Sequence, residues 1–135
     1  MIDVAAALVF RGGKLLITQR PMSSHLGGLW EFPGGKREPG ETFEAALIRE
    51  LREELEIDVS VEQLVETVVH EYPEKKVNLK FFRCRWEANE PRPVGCPAFR
   101  WISAEDLPRF QFPAADAKLI DRLIKDRDLW LENTP

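Results

Sequence analysis

Apolar residues along this chain switch between two spacings. From Asp3 to Arg11 and from Lys14 to Arg20, aliphatic residues crowd into short runs on either side of Gly12-Gly13, the pattern of two strands joined by a tight turn. A loop containing Pro21, Gly27 and Gly28 leads to a short extended stretch at Trp30 to Phe32. The period then lengthens. From about Thr42 to Leu55, Phe43, Ala46, Leu47, Leu51 and Leu55 recur at helical offsets, which predicts an amphipathic helix with that stripe buried. Ile57 to Val61 and Leu64 to Glu71 read as extended. Val77, Leu79 and Phe81 alternate with Asn78 and Lys80 before an apolar continuation to Trp86, which predicts a long strand with one side buried. Pro91 to Pro97 reads as a loop, Phe99 to Ile102 as a short strand, and Ser103 with Asp106 as a capped turn. Pro113 opens a last helix whose Leu119, Ile120, Leu123 and Ile124 are expected to face the core. Strands interleaved with two main helices predict an α/β fold.

Composition narrows the setting. With 135 residues and 44% hydrophobic content, one compact core and a single domain over 1–135 are expected. The apolar run from Val4 to Phe10 follows Asp3 without a basic segment, so it is too short for a membrane span and unlike a signal peptide. Two cysteines, Cys84 and Cys96, then imply reduced thiols in the cytoplasm, with Cys84 belonging to the core. The net charge of −4 and the lack of a lysine or arginine run argue against long duplex nucleic acid as a partner. If the substrate is a polyphosphate, a metal must do much of the charge neutralisation.

The predicted long helix carries the chemistry. Glu50, Glu53 and Glu54 are spaced i, i+3, i+4, so their carboxylates project from one helical face within roughly 6 Å of each other. Three like charges so placed repel, and their repulsion raises a carboxyl pKa unless a cation relieves it. Hard oxygen ligands suit Mg²⁺, which favours a few carboxylates, retained waters and substrate phosphates. The plain alternative is a solvated acidic face balanced by Arg49 and Arg52. What favours the cation is the preamble: Gly34, Gly35 and Gly40 flank Pro33 and Pro39, predicting a tight loop whose backbone can approach a metal or phosphate.

Written out, the segment is Gly35, five residues, Glu41, seven residues, Arg49-Glu50-Leu51, one residue, Glu53-Glu54, one residue, Glu56-Ile57. It resembles the signature of the Nudix hydrolases, and departs from it only where Glu56 replaces a glycine. That glycine follows the helix, where a left-handed cap suits Gly, so Glu56 is expected to alter how the helix ends. The resemblance to the MutT-like and CTP pyrophosphohydrolase-like subgroup extends to Thr18-Gln19-Arg20, His25, Leu29 to Lys36, Tyr72 to Lys75 and Phe112 to Asp116.

This resemblance implies a Nudix-type α/β/α sandwich with a mixed β-sheet, and hydrolysis of a nucleoside triphosphate to the monophosphate and pyrophosphate. It implies that Mg²⁺, or Mn²⁺, is held by the Gly34 carbonyl and by Glu50, Glu53 and Glu54. Arg49 would orient Glu53 or Glu54, Glu41 would brace the loop, and Glu53 is the preferred base toward the attacking water. Arg20, His25 and Lys36 are candidate contacts to phosphate or base. Phe32 and Tyr72 would flank the base and Asp116 would read its edge. Asp116 departs from the asparagine of MutT: an ionised aspartate only accepts hydrogen bonds, which suits the amino group of cytosine or adenine and the added N7 hydrogen of 8-oxoguanine. Oxidised dGTP and cytidine nucleotides both stay open as substrates. MutT also has a further metal-binding glutamate before its late strand, where this chain has Val94-Gly95-Cys96-Pro97 without a carboxylate. A binding-only Nudix domain is the alternative class; retention of Glu50, Glu53 and Glu54 argues against it. A purely structural or Ca²⁺-buffering role is favoured less still, since no EF-hand spacing of oxygen ligands occurs. The assembly is expected to be a monomer or homodimer.

Overall fold

A computed structural model describes residues 1–131. Strand β1 (Ile2–Arg11) turns at Gly12-Gly13 into β2 (Lys14–Gln19), as the aliphatic runs predict. Two short strands follow, β3 (Trp30–Glu31) and β4 (Gly34–Lys36), then helix α1 (Phe43–Leu55). A long hairpin, β5 (Asp58–Tyr72) with β6 (Lys75–Ala88), precedes β7 (Phe99–Ile102). The chain closes through short 3₁₀ turns and α2 (Ala117–Lys125). No helix among the described residues is long and apolar enough to cross a membrane.

Seven strands form one mixed sheet. β1 runs parallel to β6 over Ile2 to Val9, while β6 pairs antiparallel with β5. β1 and β2 pair only beside their turn, at Phe10 with Leu15 and Arg11 with Lys14. Beyond it they part, and residues 30–36 fill the split: β3 pairs with β2, and β4 pairs with β1. The Pro33 carbonyl between them accepts from the Ala7 amide at 2.8 Å. This wedge brings the glycine-rich segment into the middle of the sheet.

The sheet is buried on both faces. Ala5, Ala7 and Val9 of β1 pack toward α1 with its Leu47, Leu51 and Leu55, all fully buried. Ala6, Leu8 and Phe10 pack the other way, against a core containing Leu119 and Leu123 of α2. That two-sided burial is why β1 reads as an unbroken apolar run. The result is the expected mixed sheet between helices. Each buried leucine of α1 is worth about 1.5–3 kcal/mol, enough to hold the helix despite its charge density.

Several local expectations need correction. The two extended segments around residue 62 are one 15-residue strand, β5, whose register shifts at three places beside β6. Bulges of this kind interrupt alternation and so break a strand's sequence signal. Residues 34–36 are a strand, not loop, because β1 offers an unpaired edge there. Pro113 precedes a 3₁₀ turn, and α2 proper begins at Ala117. Ile124 is 42% exposed; the helix turns it away from the sheet. Finally, Glu56 does not change how α1 ends. It adopts the left-handed cap itself (φ 59°, ψ 29°), donates its amide to Arg52, and is paired with Arg92 at 3.2 Å.

Candidate active site

Helix α1 starts at a Thr42 cap, whose hydroxyl accepts from the Ala45 amide at 3.0 Å. About two turns in, Arg49 is the hub of the polar face. Its guanidinium meets both oxygens of Glu41 at 2.8 and 2.9 Å, Glu50 at 2.9 Å and Glu53 at 3.2 Å. It also donates to the Lys36 carbonyl at 3.1 Å, tying the helix to β4. Glu41 in turn accepts from the Glu38 amide at 2.9 Å, which closes the loop. The Arg49 contacts, followed by that backbone bond, hold the Glu41 carboxyl down to about 2. Arg49 thus meets Glu50 and Glu53; among the described residues it makes no hydrogen bond or ion pair with Glu54.

Glu54 lies in a different environment. Burial, then the nearby Glu31 carboxylate, push its carboxyl up to about 8, against hydrogen bonding from the Thr18 side chain and the Gly34 backbone. Glu50 is also raised, first by burial, with Arg49 opposing. Gly35 lets the Glu50 carboxylate approach the sheet, and Gly34 lets β4 lie against β1. A Cβ on Gly35 would fall 2.4 Å from the Glu50 carboxyl, and one on Gly34 would fall 2.0 Å from the Ala5 carbonyl oxygen. Glu53 stands apart, with 60% of its side chain exposed.

On the other side of Gly34-Gly35 lies a cavity of about 270 Å³. Its floor is apolar, with Phe32 stacked on Phe112 at 5.2 Å and packed edge-on against Phe81 at 5.9 Å. Arg20, His25, Phe32, Lys36, Tyr72 and Asp116, which come from five separate segments, all line it. Tyr72 packs edge-on against His25 at 5.0 Å and His70 at 4.5 Å. His25 Nδ1 pairs with Glu74 at 2.7 Å, leaving Nε2 buried without a hydrogen-bond partner. Asp116 is 4% exposed and makes no capping hydrogen bond to α2. Burial, then Glu31, push its carboxyl up to about 7, opposed by Arg20.

Glu31 is the site residue that sequence reasoning passed over. It lines the cavity, receives Arg20 at 2.7 Å, and influences both Glu54 and Asp116. Burial raises its own carboxyl, with Arg20 opposing. The one available signal was a lone carboxylate between Trp30 and Phe32 in a two-residue strand.

The donors suit a hard divalent cation. Two raised carboxyls, Glu50 and Glu54, lie within each other's field, and the one arginine beside Glu50 is shared with Glu41 and Glu53. Among the described residues no three carboxylate, histidine or cysteine side chains converge into a preformed cage. Glu50, Glu53 and Glu54 are thus not gathered into a single cage. Cys96 offers no thiolate, since burial and then Glu54 push it up to about 11, and Cys84 is buried and pushed up to about 12.

Known proteins share the fold and the family of this chain. The family model described as NUDIX domain matches residues 5–122. The chain is 38% identical over 126 residues to the CTP pyrophosphohydrolase of Escherichia coli (strain K12), covering 90% of each. It is 37% identical over 111 residues to the 8-oxo-dGTP diphosphatase of the same strain, covering 82% of this chain and 85% of the relative. The solution structure of the E. coli ORF135 protein matches with a TM-score of 0.80 at 35% identity, covering 94% of this chain and 91% of that one.

Proposed function

Because the chain belongs to the NUDIX domain family, we propose that it hydrolyses nucleoside triphosphates to the monophosphate and pyrophosphate, with 8-oxo-dGTP and cytidine triphosphates competing for its base slot. It is a Nudix hydrolase, and such enzymes generally act on small nucleotide substrates and depend on a divalent metal. The observation that carries the substrate class is a shared wall. Gly34 and Gly35 line the nucleoside-sized cavity on one side and back onto Glu54 and Glu50 on the other. A base in the slot would therefore direct its phosphate chain along β4 toward the carboxylate face of α1.

In this reading Glu50, Glu53, Glu54 and the Gly34 carbonyl would hold Mg²⁺, or Mn²⁺ in its place. The bound cation would neutralise the phosphate oxygens and ease ionisation of the attacking water. Glu53, the most exposed of the three, is the group best placed to take a proton from that water. Arg49 keeps Glu50 and Glu53 apart and oriented. Lys36 at the cavity wall supplies a positive charge for the phosphates, while Arg20 is committed to Glu31 and acts on the ligand through it. The water oxygen bonds to phosphorus as a P–O bond to the leaving group breaks.

Phe32 and Tyr72 flank the base and Asp116 reads its edge. A carboxyl raised to about 7 is part protonated at neutral pH, so Asp116 can both accept and donate. An acceptor suits the amino group of cytosine, and a donor suits the carbonyl of an oxidised guanine. One slot can thus take both base types. The test is pyrophosphate release on a panel of 8-oxo-dGTP, dGTP, CTP, methylated dCTP and ADP-ribose. The reading expects the oxidised guanine or cytidine nucleotides to lead, and turnover led by ADP-ribose would overturn it.

A further inference from the structure

In β2 the side chains of Leu15, Leu16, Ile17 and Thr18 are all 0% exposed, and three of the four are plain aliphatics. A valine would fill the Thr18 position without burying a hydroxyl, whose removal from water costs free energy unless it is hydrogen-bonded. That hydroxyl has no partner of ordinary geometry. Such a group in a close-packed strand calls for an explanation.

The strand pairing supplies one. Side chains alternate along a strand, so Thr18 shares the face of Leu16, which packs in the α1 core. Directly opposite it stand Glu31 on β3 and Phe99 on β7. The ionisable group of α1 within its reach is the Glu54 carboxylate. Glu54 is also held from two other directions. The Gly34 backbone hydrogen-bonds its carboxylate, and the Gly95 amide donates to its main-chain carbonyl at 2.9 Å.

We infer that Thr18 is a positioning residue for Glu54: its sealed hydroxyl sets the carboxylate at the angle from which a cation is taken up. A hydroxyl donor and a backbone amide take two of the roughly four lone-pair directions of a carboxylate, so Thr18 turning its unpartnered hydroxyl to Glu54 leaves the rest free for a metal. Partners of this kind fix the direction of a ligand rather than touching the ion. The inference rests on the proposed role of Glu54 as a cation ligand.

The test titrates Mn²⁺ alone, without nucleotide, into the wild type, Thr18→Val, Thr18→Ser and Glu54→Gln, counting free ion by electron paramagnetic resonance. Thermal unfolding of each is followed without metal. Thr18→Val should bind Mn²⁺ about tenfold more weakly while its melting temperature holds or rises, because a buried hydroxyl has been removed. Thr18→Ser should recover most of that affinity even though it packs less well. If Thr18→Val unfolds, Thr18→Ala against Thr18→Ser makes the same comparison. Wild-type affinity in Thr18→Val beside weak binding by Glu54→Gln would overturn the role of Thr18 alone, as would equal losses in the valine and serine variants. Undiminished binding by Glu54→Gln would overturn the cation assignment itself.

Discussion

Negative charge is managed in opposite ways on the two sides of Gly34-Gly35. On the helix side Arg49 clasps Glu41 through two hydrogen bonds, and that carboxyl is held down to about 2. On the cavity side Asp116 has no such clasp, and burial pushes it up to about 7. Glu54 behaves like the cavity side although it belongs to the helix, since burial and then Glu31 push it up to about 8. Charge is therefore fixed where the scaffold must stay rigid, and left adjustable where a ligand must enter. In the proposed function the adjustable groups serve both ends, Glu54 the phosphates and Asp116 the base.

Five substitutions test this contrast between the two regimes. The largest effect is expected for Glu53→Gln and Glu54→Gln, each lowering the rate of pyrophosphate release by about a hundredfold or more while the protein stays folded. Wild-type turnover in either would remove it from the machinery. Next, Arg49→Lys keeps the charge but cannot hold Glu41 with a planar fork while reaching Glu50 and Glu53. A drop of about tenfold in kcat is expected, checked by steady-state kinetics alongside circular dichroism. Arg49→Lys with unchanged kcat would show that the network is only scaffold.

Asp116→Asn acts on the other regime and is expected to shift the ranking of bases by about tenfold with little change in kcat on the preferred one. It also carries a pH signature. The folded protein keeps the Asp116 proton up to about pH 7, whereas the unfolded chain releases it near 3.8. Stability from this group is thus fully present below pH 3.8 and is lost as the pH rises toward 7, on the order of a few kcal/mol. Metal-free thermal unfolding between pH 5 and 8 should fall less steeply in Asp116→Asn than in the wild type. Parallel profiles would show that Asp116 titrates normally. The smallest effect is Glu56→Gly, which relieves a non-glycine left-handed cap and should raise stability by up to about 1 kcal/mol, read as a higher melting temperature.

The two regimes also differ in how far the amino-acid sequence reveals them. Glu50, Glu53 and Glu54 stand out because a helix writes its faces into local spacing, and Leu47, Leu51 and Leu55 mark the opposite stripe in the same few turns. The cavity is built from segments far apart in the chain, and no local period joins Phe32 to Tyr72 or Asp116. Resemblance to a family pointed to those positions; spacing alone could not have. Glu31 escaped because its importance comes from burial between Arg20, Glu54 and Asp116, all of it tertiary. Thr18 looked like any strand residue for the same reason. The continuity of β5 and the strand at Gly34–Lys36 were hidden too, since bulges break alternation and pairing in a wedge depends on how β1 and β2 diverge. At Glu56 the expectation failed for a simpler cause: two hydrogen-bonded carbonyls and the neighbouring Arg92 hold a conformation that glycine would adopt more easily.

The central claim is that the acidic face of α1 grips cations that in turn hold the phosphates of a nucleotide seated beside Gly34-Gly35. Calorimetry with a non-hydrolysable triphosphate analogue, in Mg²⁺ and then in chelator, tests it most directly. Tight uptake in Mg²⁺ that collapses in chelator, and that Glu53→Gln with Glu54→Gln abolishes, is the predicted result. Binding of equal strength with and without Mg²⁺, untouched by the double substitution, would contradict it.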